Sequence, residues 1–287
     1  MAEQTLILGA ENHLVATLAP ANTQGAAPPF VALLTNSGVI PRSGPHRMNV
    51  HLARRFAAMG IPSIRFDMSG LGDSRRSGSG QPLMTQWVSD TRAVMDLAQS
   101  HFGCDRFFMI GFCSGAEVAH LVGLEDTRLS AALLWELYAY PTAESKLRKL
   151  AYRLRRAGVK KLALKAISRL QKIVSRAKPA SPLVAAQSSQ APPRDEFAKR
   201  IQTLVDRGVE LMFSFSDGQP EWFNHRGQFK GMFGRYAFFD KVSFSMLKNC
   251  DHLVTRREAQ EAFSDMTVRW VKDRVLPSQK PASALPR

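Results

Sequence analysis

In the stretch FFMIGFCSGAEVAHL, Phe107 to Leu121, a thiol and a hydroxyl stand side by side, Cys113 and Ser114, between an apolar run of strand length and the start of a helical pattern. A sharp strand-to-helix turn that presents a nucleophile needs small residues two before and two after its apex, because larger side chains collide there. With Cys113 at the apex those positions hold Gly111 and Gly115; with Ser114 they hold Phe112 and Ala116, and the phenyl ring has no room. The spacing selects Cys113 as the expected nucleophile. Ser114 becomes the neighbour whose backbone N–H faces a developing oxyanion. The positive end of the following helix favours thiolate over thiol at the apex.

The elements that must position this corner are legible as alternating periods. TLILGAENHLVATLAP reads as two strands about a polar turn, and FVALLTNSG, PSIRFDMSG, RFFMIGF, AALLWELYAY, VELMFSFS and VSFSMLKNC read as further strands. Helical spacing occupies MNVHLARRFAAMG, MTQWVSDTRAVMDLAQSHFG, a segment from Ser114, Asp195 to Arg207, and Arg256 to about Val275. Strands alternating with helices imply an α/β fold, a mostly parallel sheet flanked by helices, with ligands gathering at the carboxyl ends of the strands.

Charge is concentrated rather than spread. Thirteen Lys or Arg lie between Glu144 and Lys178 against a single acid, Glu144, which accounts for most of the net charge of +15. Within that insert Leu147, Leu150, Leu154 and Val159, then Leu162, Ala166, Ile167, Leu170 and Val174, recur at helical intervals, which predicts two amphipathic helices broken near Gly158. The stretch KPASPLVAAQSSQAPP that follows has linker composition. No apolar run is long enough to span a membrane, and the start lacks a basic leader followed by an apolar block, so a cytoplasmic protein is expected. Three scattered cysteines fit a reducing compartment, and no His/Cys/Asp cluster has metal spacing, so neither a metal nor a cofactor is expected.

NSGVIPRSGPHR after the third strand, FDMSGLGDS after the fourth, GFCSGA at the corner, a helical insert after the sixth strand and DHLVT near the end come in the order of the α/β-hydrolase superfamily, which the chain resembles over nearly its whole length. The elbow is a Cys form similar to dienelactone hydrolases. The run SGPHR, LARRFAAMG, RFDMSGLGDS is similar to serine-aminopeptidase-like (S33) hydrolases, including those associated with bacterial polysaccharide and exosortase systems. The resemblance implies a catalytic order of nucleophile, acid and histidine, which makes His252 the base. It places the acid in the turn SFSDGQPEWFNH, where Asp217 is the first candidate and Glu221 the second. Gln219 is a neutral orienter of the kind that a Cys–His pair tolerates, and Glu136 after the sixth strand is the next place to look. A second oxyanion donor is implied near Gly38 and Val39, and the basic insert falls where such enzymes carry a lid.

The implied organisation is a first core part over 1–141, a basic helical lid and linker over 142–193, a second core part over 194–275 and a flexible tail over 276–287. The implied reaction is cleavage of an ester or thioester through an acyl-Cys113 intermediate. Water as acceptor makes a hydrolase, an alcohol or amine an acyltransferase. A non-catalytic protein docking an anionic partner through the lid is the reading from another class. The lid's charge suits an acyl-carrier protein, a CoA thioester or an anionic membrane surface. Nucleic acid is not expected, because Tyr152 is the only aromatic in the insert.

Overall fold

The computed structural model describes residues 2–21, 27–36, 38–156 and 191–278. Eight strands form one sheet: β1 (Gln4–Leu8), β2 (Leu14–Ala19), β3 (Val31–Leu34), β4 (Ser63–Asp67), β5 (Phe107–Phe112), β6 (Leu129–Trp135), β7 (Glu210–Ser216) and β8 (Ser243–Leu247). Their order is β1-β2-β4-β3-β5-β6-β7-β8. β2 runs antiparallel to both its neighbours, and β4 through β8 are parallel. Parallel strands covered on both faces are apolar throughout, and every residue of β3 and β5 is buried.

Alternation along each strand divides the core between the two faces. From β5, Phe108, Ile110 and Phe112 join Phe56 of α1 (Met48–Ala57) and Phe263 of the last helix (Arg257–Trp270) on one face. Phe107 and Met109 join the other face, with Val94 of α2 (Leu83–Phe102), Val118 of α3 (Ser114–Glu125) and a helix carrying Phe197 (Arg194–Asp206). A short helix, Gly227–Phe233, has no counterpart in the sequence reading. Two glycines in seven residues hide it from propensity, and Phe229 and Phe233 hold it against Phe213.

After β6 the chain enters a helix over 143–156, here α4. The helices at Arg194–Asp206, Gly227–Phe233 and Arg257–Trp270 are then α5, α6 and α7. Thr142 caps α4, its Oγ1 accepting the Ser145 N–H at 3.1 Å while its own N–H donates to Ser145 Oγ at 2.8 Å. The leucine stripe of this helix is open: Leu147, Leu150 and Leu154 are 69%, 51% and 36% exposed. Polar ties hold the helix in place. Lys149 Nζ donates to the Glu221 carbonyl at 2.8 Å, Arg153 pairs with the Glu221 carboxylate at 2.5 Å, and Asn224 Nδ2 donates to the Ser145 carbonyl at 2.9 Å. The expected break near Gly158, the second basic helix, the linker and most of the tail lie outside the described residues, as does Ser37. Among the described residues no helix is long and apolar enough to cross a membrane.

Candidate active site

The corner between β5 and α3 is a single residue, Cys113, at φ 50° and ψ −113°. Its N–H donates to the Trp135 carbonyl at 3.0 Å, and its carbonyl accepts from Ala116 and Glu117 at 3.0 and 3.2 Å, so the backbone is pinned from β6 and from the first turn of α3. A Cβ on Gly111 would stand 2.5 Å from the Gly115 carbonyl oxygen. One on Gly115 would stand 2.3 Å from Thr35 Oγ1 and 2.6 Å from the Asn36 carbonyl oxygen. Both small residues are therefore sterically required, and the apex they frame is position 113.

His252 lies in the loop between β8 and α7, and its carbonyl accepts the Trp135 indole N–H at 3.0 Å. Its Nδ1 is hydrogen-bonded to Oε2 of Glu136, the residue that follows β6. Glu136 sits at φ 50° with its side chain 3% exposed. Its other oxygen, Oε1, accepts the Ser216 N–H at 3.0 Å and the Ser216 hydroxyl. A side-chain hydrogen bond with Cys113 and the one with Glu136 push the His252 pKa up to about 10 against the opposing effect of burial. The histidine thus links the elbow to the end of β6.

The acid expected after β7 is corrected accordingly. Asp217 turns its carboxylate onto the loop that carries the histidine, accepting the N–H groups of Asn249 and Cys250 at 3.0 and 3.1 Å. It holds the backbone that places His252 rather than the imidazole itself. Gly218 completes the turn by donating to the Cys250 carbonyl at 2.8 Å, and Cys250 is buried there with its thiol pushed up to about 12. Glu221 is spent on Arg153 and Lys149 of α4. Gln219 contributes its carbonyl to Trp222 and Phe223 at 2.8 and 3.0 Å, and among the described residues its amide has no bond to His252. The usable signal for Glu136 is one carboxylate at the carboxyl end of an otherwise apolar strand, in LLWELYAY.

The loop after β3 is braced by side chains. Asn36 Nδ2 donates to the Ile40 carbonyl at 2.9 Å and to Asp67 Oδ1 at 2.7 Å, and Asn49 Nδ2 donates to the carbonyls of Thr35 and Arg42 at 3.0 and 3.2 Å. The Gly38 N–H donates to Ser114 Oγ at 3.0 Å, which gives the serine side chain a role in holding this loop against the elbow. Val39 is 67% exposed beside it. As the first residue of α3, Ser114 has an N–H without an intrahelical acceptor. Two further histidines are buried: His13, whose Nε2 is 3.4 Å from Asp90 Oδ1, and His120 inside α3. Among the described residues no group of three His, Cys, Asp or Glu side chains is placed to hold a metal.

With this geometry in view, comparisons give the following. The family profile described as serine aminopeptidase, S33, matches residues 43–209. The α/β hydrolase GrgF from Penicillium sp. sh18 superposes with a TM-score of 0.60 at 14% identity, covering 95% of this chain and 98% of its own. An α/β serine hydrolase homologue from Coxiella burnetii gives 0.56 at 12% identity, covering 94% and 97%. A serine hydrolase without a lid from Xanthomonas campestris gives 0.51 at 16%, covering 94% of both. These likenesses establish the α/β-hydrolase fold. No curated protein matches the sequence. The expected cysteine mechanism is corrected by the same findings. The matched family is serine-based, and nothing in the comparisons supports a cysteine nucleophile, an acyl-cysteine intermediate, or the dienelactone-hydrolase, polysaccharide or exosortase types. Cys113 stands at the apex of an elbow that belongs to a serine family.

Proposed function

Because the chain belongs to the serine aminopeptidase, S33, family of α/β hydrolases, we propose that it hydrolyses an acyl ester or thioester at the elbow between β5 and α3. The observation that carries this reading is the pair formed by His252 and Glu136, which lie 116 residues apart in the sequence and meet beside the residue at the elbow's apex. In this reading His252 takes the proton released on attack and returns it to the leaving group, while Glu136 fixes the imidazole's orientation and stabilises its charged form. The N–H groups of Ser114 and Val39 receive the oxyanion, with the Gly38 N–H held by Ser114 Oγ. Asp217 and Ser216 are positioning residues, one acting through the His252 loop and the other through Glu136.

The basic helix over 143–156 and the insert beyond it serve as a lid in this proposal, and their charge favours acyl substrates presented on an anionic carrier, as a CoA thioester or at an anionic membrane surface. The free cysteines suit the cytoplasm as its place of action.

The test is steady-state turnover of a panel of p-nitrophenyl esters, acyl thioesters and aminoacyl anilides. Wild type is expected to turn over esters or thioesters. His252→Ala should abolish this, Glu136→Gln should lower kcat by about 10²- to 10⁴-fold, and Asp217→Asn should keep most of it. Turnover of anilides alone, or an Asp217→Asn loss matching that of Glu136→Gln, overturns the assignment.

A further inference from the structure

A recess of about 430 Å³ opens beside the loop that follows β3, lined by Arg42, Arg47, Arg54, Arg65, Thr17 and Ser43. We propose that it is a binding site for a phosphate group, separate from the elbow and next to the oxyanion loop.

Three observations point there. The cations of the recess are all arginine, in a chain that uses lysine freely elsewhere, and the planar guanidinium is the cation that matches a tetrahedral oxyanion two donors at a time. Arg65 is the second. It sits in the middle of β4 with its side chain 5% exposed and holds Glu3 at 2.5 Å through Nη2, while its Nε has no hydrogen-bond partner. A buried charge on a core strand costs stability unless it is fully paired, and one carboxylate leaves this guanidinium incompletely satisfied. The third is the charge balance. Glu3 and Asp73 line the same recess, but Glu3 is paired with Arg65, and Asp73 with Arg42 at 2.6 Å. Among the described residues Arg47 and Arg54 form no ion pair; both are exposed and line the recess. The recess therefore keeps positive charge that its own acids do not neutralise, and the hydroxyls of Thr17 and Ser43 add short-range polar partners.

Arg42 ties this site to the catalytic one. Its guanidinium bridges Asp67 and Asp73, each at 2.6 Å, its Nε donates to Thr17 Oγ1 at 3.0 Å, and its backbone N–H donates to Asp67 Oδ1 at 2.6 Å. Asp67 also accepts from Asn36, so one buried carboxylate fastens both the recess and the loop that carries Gly38. Gly38 and Arg42 are four positions apart, at most about 14 Å of extended chain. A phosphate bound in the recess lies close enough to be either the far end of an acyl substrate or a free anion that stiffens the loop.

Binding is measured first, without turnover, so that its outcome is independent of the hydrolase reading. Calorimetric titration of the intact protein with inorganic phosphate should show saturable one-to-one binding. An Arg47→Ala/Arg54→Ala double variant, which changes only exposed side chains, should weaken it at least about tenfold, since both lost guanidinium groups are charge-assisted donors to the anion. Arg153→Ala/Arg155→Ala/Arg156→Ala on α4 should leave it unchanged. Absence of saturation, indifference to the double variant or equal loss in the triple variant overturns the proposal, the last by showing general attraction to a basic protein. The source of the phosphate is then read kinetically. A lower KM for an ester bearing a phosphate monoester than for its neutral analogue, lost in the double variant, assigns the recess to substrate. A change in neutral-ester turnover on adding inorganic phosphate, lost in the same variant, assigns it to a free ligand.

Discussion

The backbone at Cys113 is set by its neighbours and not by its own side chain. Positive φ, glycines at 111 and 115 that admit no Cβ, and a carbonyl and an N–H both engaged define an apex that would hold a serine equally well. The family is serine-based, so the matching test is to restore its residue type. Cys113→Ser should react with a fluorophosphonate probe, and peptide mapping should find the phosphonyl group at position 113. An adduct on Ser114, or none, would show that the elbow does not present its apex to His252. Ser114 itself is committed elsewhere: its hydroxyl accepts the Gly38 N–H, which makes it a brace for the loop after β3.

At the scale of elements, α3 carries a cost that its packing against α5 imposes on it. His120 lies on the face of the helix that packs toward Phe197 of α5, at an inter-ring distance of 5.1 Å. Among the described residues neither of its ring nitrogens has a partner, and burial lowers its pKa to about 4. An unfolded chain binds a proton at this histidine below its ordinary value of about 6.5, whereas the folded one does not until about pH 4, so folding stability is lost as pH falls through that window. Thermal melts of wild type and His120→Leu between pH 7 and pH 4 should therefore diverge, with the variant gaining relative stability as pH falls. A constant difference across the range would mean that the imidazole is satisfied in solution.

Across the whole molecule, charge and the proposed active site occupy different parts of the chain. The elbow, Glu136 and His252 come from strand ends, whereas the positive charge is concentrated in the insert after β6, whose first helix is tied to the Glu221 turn by Lys149 and Arg153. Neutralising Arg155 and Arg156, which are exposed and stand clear of that tie, should raise KM for an anionic acyl thioester and leave a small neutral ester unaffected. Added salt should reproduce the same selective loss in wild type, because exposed charges are screened over about 8 to 10 Å. Equal loss on both substrates would show that these arginines support the fold of the helix and not recruitment.

Local pattern alone was enough to determine the strands, most of the helices and the elbow's apex, because strand period, helix period and the need for glycine two residues either side of position 113 are all properties of neighbouring residues. It named Glu136 only as the last of four candidate partners for the histidine, and the choice among them was beyond its reach. Asp217, Gln219 and Glu221 all lie in the turn where the superfamily pattern puts the acid, yet each faces something other than the imidazole, and Glu136 reaches His252 from 116 residues away in sequence. That choice depends on which carboxylate the parallel order β6-β7-β8 sets beside the His252 loop, a distance in space that no spacing along the chain encodes. The same holds for Arg65, which is one of three polar residues in the short strand SIRFD until the antiparallel pairing of β2 with β4 sets it opposite Thr17, beside a recess lined by four arginines.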